Sequence, residues 1–434
     1  MNTVSRGQPL ELAPPPSHDD GNPPREPASL RQADLRTSIR PTVAEIDLAA
    51  LRANAQHVRQ KLAPHVALYG VVKADAYGHG AVAVARELAP LCDALAVSLA
   101  EEGMELRQAG ITCPVLVLGA YYGREHSDMI EASLTPVVYD PGDLERFATS
   151  PARRRLLSGE RHAGALAVHL KADTGMNRLG VQGGELARAL AVFAAQPRLQ
   201  LAGLCTHFAC ADMADATVTH EQLRHFAAVQ AQLRTAGFAP KAVHAANTAA
   251  TLRFSQTHFS AVRPGLALYG AVPGAAVPAE GLSPVLCLRT RVMAMHDVAK
   301  GGGVSYGHRF VAQRPSRIAV LPVGYADGYP RHLQAAHVLI RGQRAPLAGV
   351  VCMDMVMVDV TDVPGASVGD DVILIGRDGG QQITLDDVAG WAGTLNYEIA
   401  CGISKRVPRI YRHGGVEGTA SHQQRAVQEE VSRG

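Results

Sequence analysis

A lysine stands at the end of an apolar, β-branched run early in the chain. The run Val66–Val72 leads directly into Lys73, and Tyr77, Gly78 and Gly80 follow soon after. If this run is a buried strand, the amine at its end is desolvated, which lowers its pKa and makes it a nucleophile towards carbonyl compounds and then a base. Tyr77 and the two glycines are predicted to begin the next helix, where backbone amides suit a phosphate. A strand-end lysine can also simply reach into solvent.

Taken one at a time, other polar residues have ordinary explanations. Lys171 and Arg178 are typical of a solvated loop pair, and Arg263 of a surface ion pair. The segment Asn247–Thr248 suits the start of a helix, with a side chain as N-cap. Tyr306, in a glycine-rich stretch, has the pattern of a turn residue. Their chemistry therefore depends on whether the fold brings them together.

Two cysteines close to His207 raise the question of a metal site. Adjacent residues of a strand point to opposite faces, so Cys205, His207 and Cys210 do not easily converge on one ion. We predict no metal site, and a histidine satisfied within the core is the simplest interpretation of His207.

The elements that would position these residues follow a strand–helix alternation over about the first two-thirds of the folded part. Eight short apolar runs are separated by longer amphipathic stretches, which matches the size and rhythm of a (β/α)₈ barrel. A doubly wound open sheet is the alternative, because periodicity does not distinguish the two. The candidate strands are Val66–Val72, Ala94–Ser98, Val115–Leu118, Thr135–Tyr139, Ala165–Leu170, Leu201–Thr206, Ala242–Ala245 and Ser260–Arg263.

The sequence pattern changes near residue 275, from alternating strands and helices to mostly strands. Residues 276–412 are Val-rich and strand-like, with Gly, Asp and Pro turns, and predict a mostly β domain after a barrel at 41–275. The strand Thr42–Ile46 is expected to join that β domain, before Asp47 caps the first helix. Residues 1–40 are Pro-rich and predicted to be a disordered extension, and residues 413–434 a polar tail.

Composition narrows the function classes. The chain has 434 residues, and its 42 basic and 40 acidic side chains leave a net charge of +2, which gives little electrostatic reason to expect a nucleic-acid or membrane-surface partner. No secretory signal or membrane-spanning run is apparent. The seven cysteines are scattered and odd in number, as in reduced thiols. We therefore expect a cytoplasmic protein that binds neither nucleic acid nor a membrane.

The lysine segment carries a family resemblance. Val71–Gly80 reads VVKADAYGHG and closely resembles the pyridoxal-phosphate attachment site of bacterial alanine racemases. Further blocks of that family occur in the same order within Pro41–Arg412: HLKADTGMNRLG from His169, HAANT from His244, VRPGLALYG from Val262 and GVSYGH from Gly303. The resemblance implies a (β/α)₈ barrel followed by a β domain, with pyridoxal 5′-phosphate bound to Lys73.

The resemblance also implies roles for single residues. Arg178 is expected at the cofactor's phenolic oxygen, beside Lys171, which is often carbamylated in the family. Arg263 is expected at the ring nitrogen; an arginine only donates, so the nitrogen stays an unprotonated acceptor and the ring a weaker electron sink. His207 is expected beside the ring. The remaining cofactor contacts are expected from Tyr77, Asn247, Thr248 (a serine in the family), Gly265, Leu266 and Tyr397.

Racemisation needs two bases, one on each face of the α-carbon. By resemblance these are Lys73 and Tyr306, with Arg178 and Met353 also contacting the substrate. In the family Tyr306 and Met353 reach the cofactor of a second subunit, which implies a head-to-tail homodimer. The implied activity is the interconversion of L- and D-alanine, supplying D-alanine for cell-wall peptidoglycan.

Two alternatives stay open. A broad-spectrum or serine racemase of the same fold is the nearer one, because a small pocket poorly rejects one extra hydroxyl group. A pyridoxal-phosphate-dependent decarboxylase is further away, since those enzymes place an acidic residue where this chain has Arg263. A non-enzymatic binding module would leave the ordered motifs unexplained.

Overall fold

A computed structural model describes residues 40–119, 125–150 and 165–414. After a first strand, β1 (Val43–Asp47), eight parallel strands close into a barrel. Each coincides with a predicted strand to within two residues at either end. The predicted barrel is confirmed, and the doubly wound sheet is wrong. The barrel strands are β2 (Ala67–Val71), β3 (Ala94–Val97), β4 (Val115–Val117), β5 (Thr135–Val138), β6 (Leu166–Lys171), β7 (Leu199–Cys205), β8 (Ala242–His244) and β9 (Ala261–Val262).

Helices alternate with these strands and turn their apolar residues inward. The first begins where predicted, because the Asp47 carboxylate accepts hydrogen bonds from the amides of Ala49 and Ala50 at 2.9 and 3.0 Å. The described helices of the barrel are α1 (Leu48–Gln60), α2 (Ala81–Leu88), α3 (Ala100–Gln108), α4 (Glu125–Glu131), α5 (Pro141–Thr149), α6 (Gly184–Ala195), α7 (Thr217–Thr235) and α8 (Thr248–Arg253).

The part of the chain after the barrel is mostly strand, as predicted. Its strands are β10 (Leu286–Arg291), β11 (Ala294–Val298), β12 (Gly303–Val304), β13 (Phe310–Val311), β14 (Ser316–Leu321), β15 (His337–Ile340), β16 (Gln343–Pro346), β17 (Val356–Asp359), β18 (Asp371–Asp378), β19 (Gln381–Ile383) and β20 (Arg409–Arg412). Two helices, α9 (Leu385–Ala392) and α10 (Asn396–Gly402), precede the last strand. The largest sheet has the order β16-β15-β18-β10-β1-β20.

The chain therefore enters this sheet before it enters the barrel. Strand β1 pairs antiparallel with β10 and parallel with β20. A buried ion pair joins β1 to β10, with Glu45 Oε1 and Arg289 Nη2 2.9 Å apart. Because an uncompensated buried charge is costly, this pair favours the register seen. The short connection between β1 and α1 then fixes the β sheet against the first helix of the barrel.

Some expectations fall on residues that the structure does not describe. The extension predicted at 1–40 and the tail predicted at 413–434 lie almost wholly outside the described residues. Within the described ranges no helix is long and apolar enough to cross a membrane. The seven cysteines are all free thiols.

Candidate active site

A cavity of about 460 Å³ opens at the carboxyl ends of the barrel strands. This is the end at which barrel enzymes build their active sites, because the strand–helix loops converge there. The structure brings most of the predicted site residues to its wall. They are Lys73, Tyr77, Lys171, Arg178, His207, Asn247, Thr248, Arg263, Gly265 and Tyr397.

Three predicted residues are not among those that line the cavity. Leu266 is buried directly behind it, at the start of a short 3₁₀ turn, where its side chain joins the core. Tyr306 and Met353 lie on the surface of the β domain, with 70% and 53% of their surfaces exposed. Both are among the large apolar or aromatic side chains that the described residues leave exposed.

Lys73 begins a turn of left-handed backbone. The four residues Ala74–Tyr77 have φ between 52° and 54°, and Gly78 continues the run at 77°. Left-handed geometry costs a non-glycine residue about 1–2 kcal/mol, so the surrounding contacts must hold this turn. The next right-handed helix, α2, starts at Ala81 with Gly80 as its N-cap, so the prediction of a helix start holds for Gly80 and is wrong for Tyr77 and Gly78, which lie in the left-handed turn. The turn instead aims the Tyr77 hydroxyl back into the cavity.

The environment of Lys73 favours its neutral, reactive form. Burial lowers the pKa of its amine, and the Arg178 guanidinium lowers the pKa further, while Glu102 acts in the opposite direction. The pKa of Lys171, which ends β6, is also lowered. Burial is again the main cause of its lowered pKa, and the guanidinium groups of Arg263 and Arg178 contribute. Both lysines are therefore better nucleophiles than an exposed amine.

Arg178 is presented by a tight loop. The Asp173 carboxylate accepts hydrogen bonds from four successive backbone amides, at residues 175 to 178, over distances of 2.9 to 3.1 Å. These bonds hold the pKa of Asp173 below its usual value, although burial opposes them. The loop fixes the backbone of Arg178, whose side chain lines the cavity.

Arg263 is buried at the centre of a directional hydrogen-bond network. It donates to the carbonyl oxygens of Thr206 and His244, at 2.8 and 2.9 Å, and to the Nδ1 atoms of His244 and His207, at 2.5 and 3.3 Å. Arginine only donates, so both Nδ1 atoms must accept, and the proton of each neutral ring lies on Nε2. Arg263 lines the cavity, and all of these bonds use its Nη1 and Nη2 atoms rather than its Nε–H.

The network continues away from the cavity through two histidines that were not predicted as site residues. His244 Nε2 lies 2.7 Å from Nδ1 of His169 and must donate to it. Burial lowers the pKa of His169 to about 4 and that of His244 well below its usual range, so both rings stay neutral. The sequence carried a partial signal, because His169 and Lys171 alternate along one strand and share a face. Gly203 leaves room for the His169 ring, which a Cβ atom would meet at 2.4 Å.

A cradle of backbone and hydroxyl groups lies where β8 and β9 end, and β9 pairs with β2, the strand that leads to Lys73. The Gly265 amide donates to Oγ1 of Thr248 at 3.0 Å. The Tyr77 hydroxyl lies so close to Gly265 that an added Cβ would meet it at 2.3 Å, so glycine is required there. The amide of Leu266 opens a 3₁₀ turn, where the first N–H groups have no partner within the turn.

The C-terminal segment of the chain completes this cradle. Tyr397, in α10, lies with its ring centroid 5.8 Å from that of Tyr77. Burial raises the pKa of Tyr397 to about 12 and that of Tyr77 further still, so both hydroxyls keep their protons and can donate. Asn247 caps α8 by accepting from the Ala250 amide at 3.0 Å, as its position predicted. The donors suit an anion of phosphate size.

Fold and site together define a class: an enzyme built on a (β/α)₈ barrel with a β domain, with an activated lysine, buried cations and an anion cradle in one cavity. Comparison with known families agrees. Residues 46–273 match the model of the alanine racemase N-terminal domain, and residues 285–411 that of the alanine racemase C-terminal domain. The chain belongs to the alanine racemase family.

Individual relatives give the same result. The chain is 45% identical over 385 residues to an alanine racemase of Sorangium cellulosum, covering 86% of this chain and 100% of that protein. An alanine racemase of Halothermothrix orenii is 42% identical over 377 residues, covering 86% and 97%. The crystal structure of the Bacillus anthracis alanine racemase with bound L-Ala-P superposes with a TM-score of 0.79 at 36% identity, covering 88% and 97%. These findings do not favour the decarboxylase or serine racemase alternatives.

Proposed function

We propose that the protein interconverts L- and D-alanine with pyridoxal 5′-phosphate bound at Lys73, and so supplies D-alanine for peptidoglycan. The observation that carries the proposal is the cavity itself. It joins a lysine of lowered pKa to a phosphate-sized cradle and to the cationic side chains of Lys171, Arg178 and Arg263. Family membership supports the same activity.

The residues present fit this cofactor. Its phosphate suits the cradle, where the amide of Leu266 and the hydroxyls of Thr248, Tyr77 and Tyr397 can donate, while the Gly265 amide holds Thr248 in place. The cavity volume of about 460 Å³ is of the size that holds a small cofactor and a small substrate. When bound, the group supplies an aldehyde that condenses with amines and a conjugated ring that withdraws electrons from the α-carbon.

Each residue of the network then has a defined task. Lys73 binds the cofactor and, once displaced by the substrate amine, moves a proton at one face of the α-carbon. Arg263 presents its remaining donor to the ring nitrogen and so keeps that nitrogen an acceptor. The same arginine holds His207 with Nε2–H directed outward, and that donor is suited to stabilise a tyrosine oxygen as it loses its proton.

That tyrosine is Tyr306, and it belongs to a second copy of the chain. Its side chain is exposed and lies outside the cavity of its own chain, as does that of Met353. Two head-to-tail copies would each complete the other's cavity, with Tyr306 as the base at the second face and Met353 against the substrate. Exposure of both residues in the single chain supports this arrangement.

The activity is tested by incubating the purified protein with pyridoxal phosphate and either enantiomer of alanine. We expect the optical rotation to decay to zero whether the reaction starts from L-alanine or from D-alanine, because the two enantiomers have equal free energy. L- and D-serine are assayed in parallel. A higher kcat/KM for serine than for alanine would assign the protein to the serine racemases, and carbon dioxide release would assign it to the decarboxylases.

Thr248 offers a separate test of the cradle. Its Oγ1 accepts from the amides of Gly265 and Ala267, at 3.0 and 3.4 Å, which leaves its own proton for the phosphate. Thr248→Val should therefore weaken cofactor binding by about tenfold or more, since removing one hydrogen-bond partner at a buried site costs about 1–3 kcal/mol. Thr248→Ser keeps the hydroxyl and should bind within about threefold of the unaltered protein. Fluorescence titration of the cofactor-free protein measures both constants, and equal affinity of all three proteins would contradict the assignment.

A further inference from the structure

A carboxylate from a neighbouring helix holds the peptide group that follows Lys73. Glu102, in α3, accepts a hydrogen bond from the Ala74 amide through Oε1, at 2.6 Å. Its Oε2 accepts from the amides of Ser98 and Leu99, at 2.7 and 3.0 Å. One carboxylate thus joins the start of the left-handed turn to the end of β3, the barrel strand next to that of Lys73.

The other bonds that stabilise the turn act further along it. His79, whose pKa burial lowers to about 4, uses Nδ1–H to donate to the carbonyl oxygens of Ala76 and Tyr77, at 3.1 and 2.9 Å. The Asp75 carboxylate accepts from the amide of residue 81 at 2.7 Å, and Arg409 donates to the carbonyl of residue 78 at 3.0 Å. Among the described residues, Glu102 supplies the side-chain bond nearest to Lys73.

Glu102 also contributes to the charge around the amine. The groups that act electrostatically on Lys73 are Arg178, Glu102 and Cys401, and Lys73 in turn acts on His207 across the cavity. Of these, Glu102 raises the pKa of Lys73, whereas burial and Arg178 lower it. Removing the negative charge at Glu102 should therefore lower the pKa of Lys73 further.

We propose that Glu102 is a positioning residue for Lys73. By holding the first peptide group of a strained left-handed turn, its carboxylate fixes where the amine stands in the cavity. The proposal rests on the assignment of Lys73 as the amine that binds the cofactor, and it adds a residue on a different barrel element to the machinery of the reaction. A purely structural cap of α3 would not need the bond to Ala74.

The test uses Glu102→Gln, with Glu101→Gln as its matched control. Glutamine has nearly the same shape but only one acceptor oxygen, so its NH₂ group must face a backbone N–H. Glu101 is the preceding residue of the same helix, is exposed and carries the same charge. Two measurements on the cofactor-free protein avoid any dependence on activity: hydrogen–deuterium exchange of residues 73–78, and the pH dependence of Lys73 acylation by an amine-selective reagent.

In Glu102→Gln we expect exchange of residues 73–78 to quicken by about tenfold or more, and Lys73 acylation to reach its midpoint at lower pH. With cofactor, kcat for alanine should fall by about 10- to 100-fold and KM by less than about threefold, because a misplaced amine harms the reaction more than binding. Glu101→Gln should match the unaltered protein in the exchange of residues 73–78, in the acylation midpoint, in kcat and in KM. If Glu102→Gln matches it as well, the proposal is wrong.

A second variant keeps the test decisive if Glu102→Gln does not fold. Glu102→Asp keeps the charge but is one methylene shorter, so it cannot reach Ala74 while bonded to Ser98 and Leu99. It should show the faster exchange with a nearly unchanged acylation midpoint, and unchanged exchange would overturn the proposal. If the unaltered protein does not attach pyridoxal phosphate at Lys73, the proposed function fails, whereas the exchange result still reports on Glu102.

Discussion

We expect the replacement of Lys73 with alanine to abolish both cofactor attachment and racemisation. The Lys73 amine, at the end of β2, is half-buried and lines the same cavity as the anion cradle. Its lowered pKa makes it a better nucleophile than an exposed amine. Losing both the point of attachment and a base should lower kcat by roughly four orders of magnitude or more. Borohydride reduction followed by peptide mass spectrometry reports attachment, and polarimetry reports racemisation.

The control for this prediction is Lys241→Ala. Lys241 is an exposed lysine outside the cavity, so its replacement should leave attachment and rate unchanged. Lys171 is a stricter internal comparison, because it lines the same cavity and its pKa is also lowered. Recovery of the reduced cofactor on Lys171 instead of Lys73 would contradict the assignment, as would full activity of Lys73→Ala.

The barrel could be predicted because its strands are buried on both faces. Such strands read as continuous apolar runs, and eight of them separated by helical stretches match the size of a (β/α)₈ barrel, although periodicity left a doubly wound sheet open. Strand β1 was predictable for a different reason: Asp47 marks the start of α1, so the run before it had to end there. Local sequence was sufficient for β1, whereas the closure of the barrel is seen only in the structure.

The left-handed turn could not be predicted in the same way. Residues 74–77 read Ala-Asp-Ala-Tyr, which contains no glycine to signal positive φ, and the pattern favoured a helix. The turn exists because groups distant in the chain hold it, such as Glu102 at Ala74 and Arg409 at Gly78. A local propensity scale contains no information on such contacts, which is why the sequence argument failed there.

The site also contains residues that local sequence could predict and residues that it could not. Cations and hydroxyls that follow barrel strands could be placed together, because all eight strands end at one rim. The bonds from Arg263 to His244 and from His244 to His169 depend on side-chain directions across the barrel, which sequence spacing does not give. Tyr306 is a third case: its side chain is exposed, and its proposed role depends on a second copy of the chain and not on its own neighbours.

Tyr306→Phe should retain the bound cofactor but lose racemisation. The hydroxyl lies on an exposed side chain outside the cavity of its own chain, so its removal leaves the fold and the Lys73 attachment intact. It removes the base at one face of the α-carbon, and we expect kcat to fall by about 10²- to 10⁴-fold. Exchange of the α-proton at the Lys73 face should continue, because that base is unaltered. Absorption spectra report the bound cofactor, and α-deuterium exchange of D-alanine in D₂O reports the Lys73 face, because the family resemblance implies that Lys73 faces the α-carbon of the D-enantiomer.

Mixing two inactive variants tests whether the site is shared between copies. When Lys73→Ala and Tyr306→Phe subunits are dissociated and reassociated in equal amounts, half of the dimers are mixed. Each mixed dimer holds one cavity with both Lys73 and Tyr306 intact, so about a quarter of the unaltered activity should return. Lys73→Ala mixed with the double variant contains no intact lysine and should stay inactive. If the first mixture also stays inactive although mixed dimers form, Tyr306 does not act across the subunit boundary, and the head-to-tail arrangement is wrong.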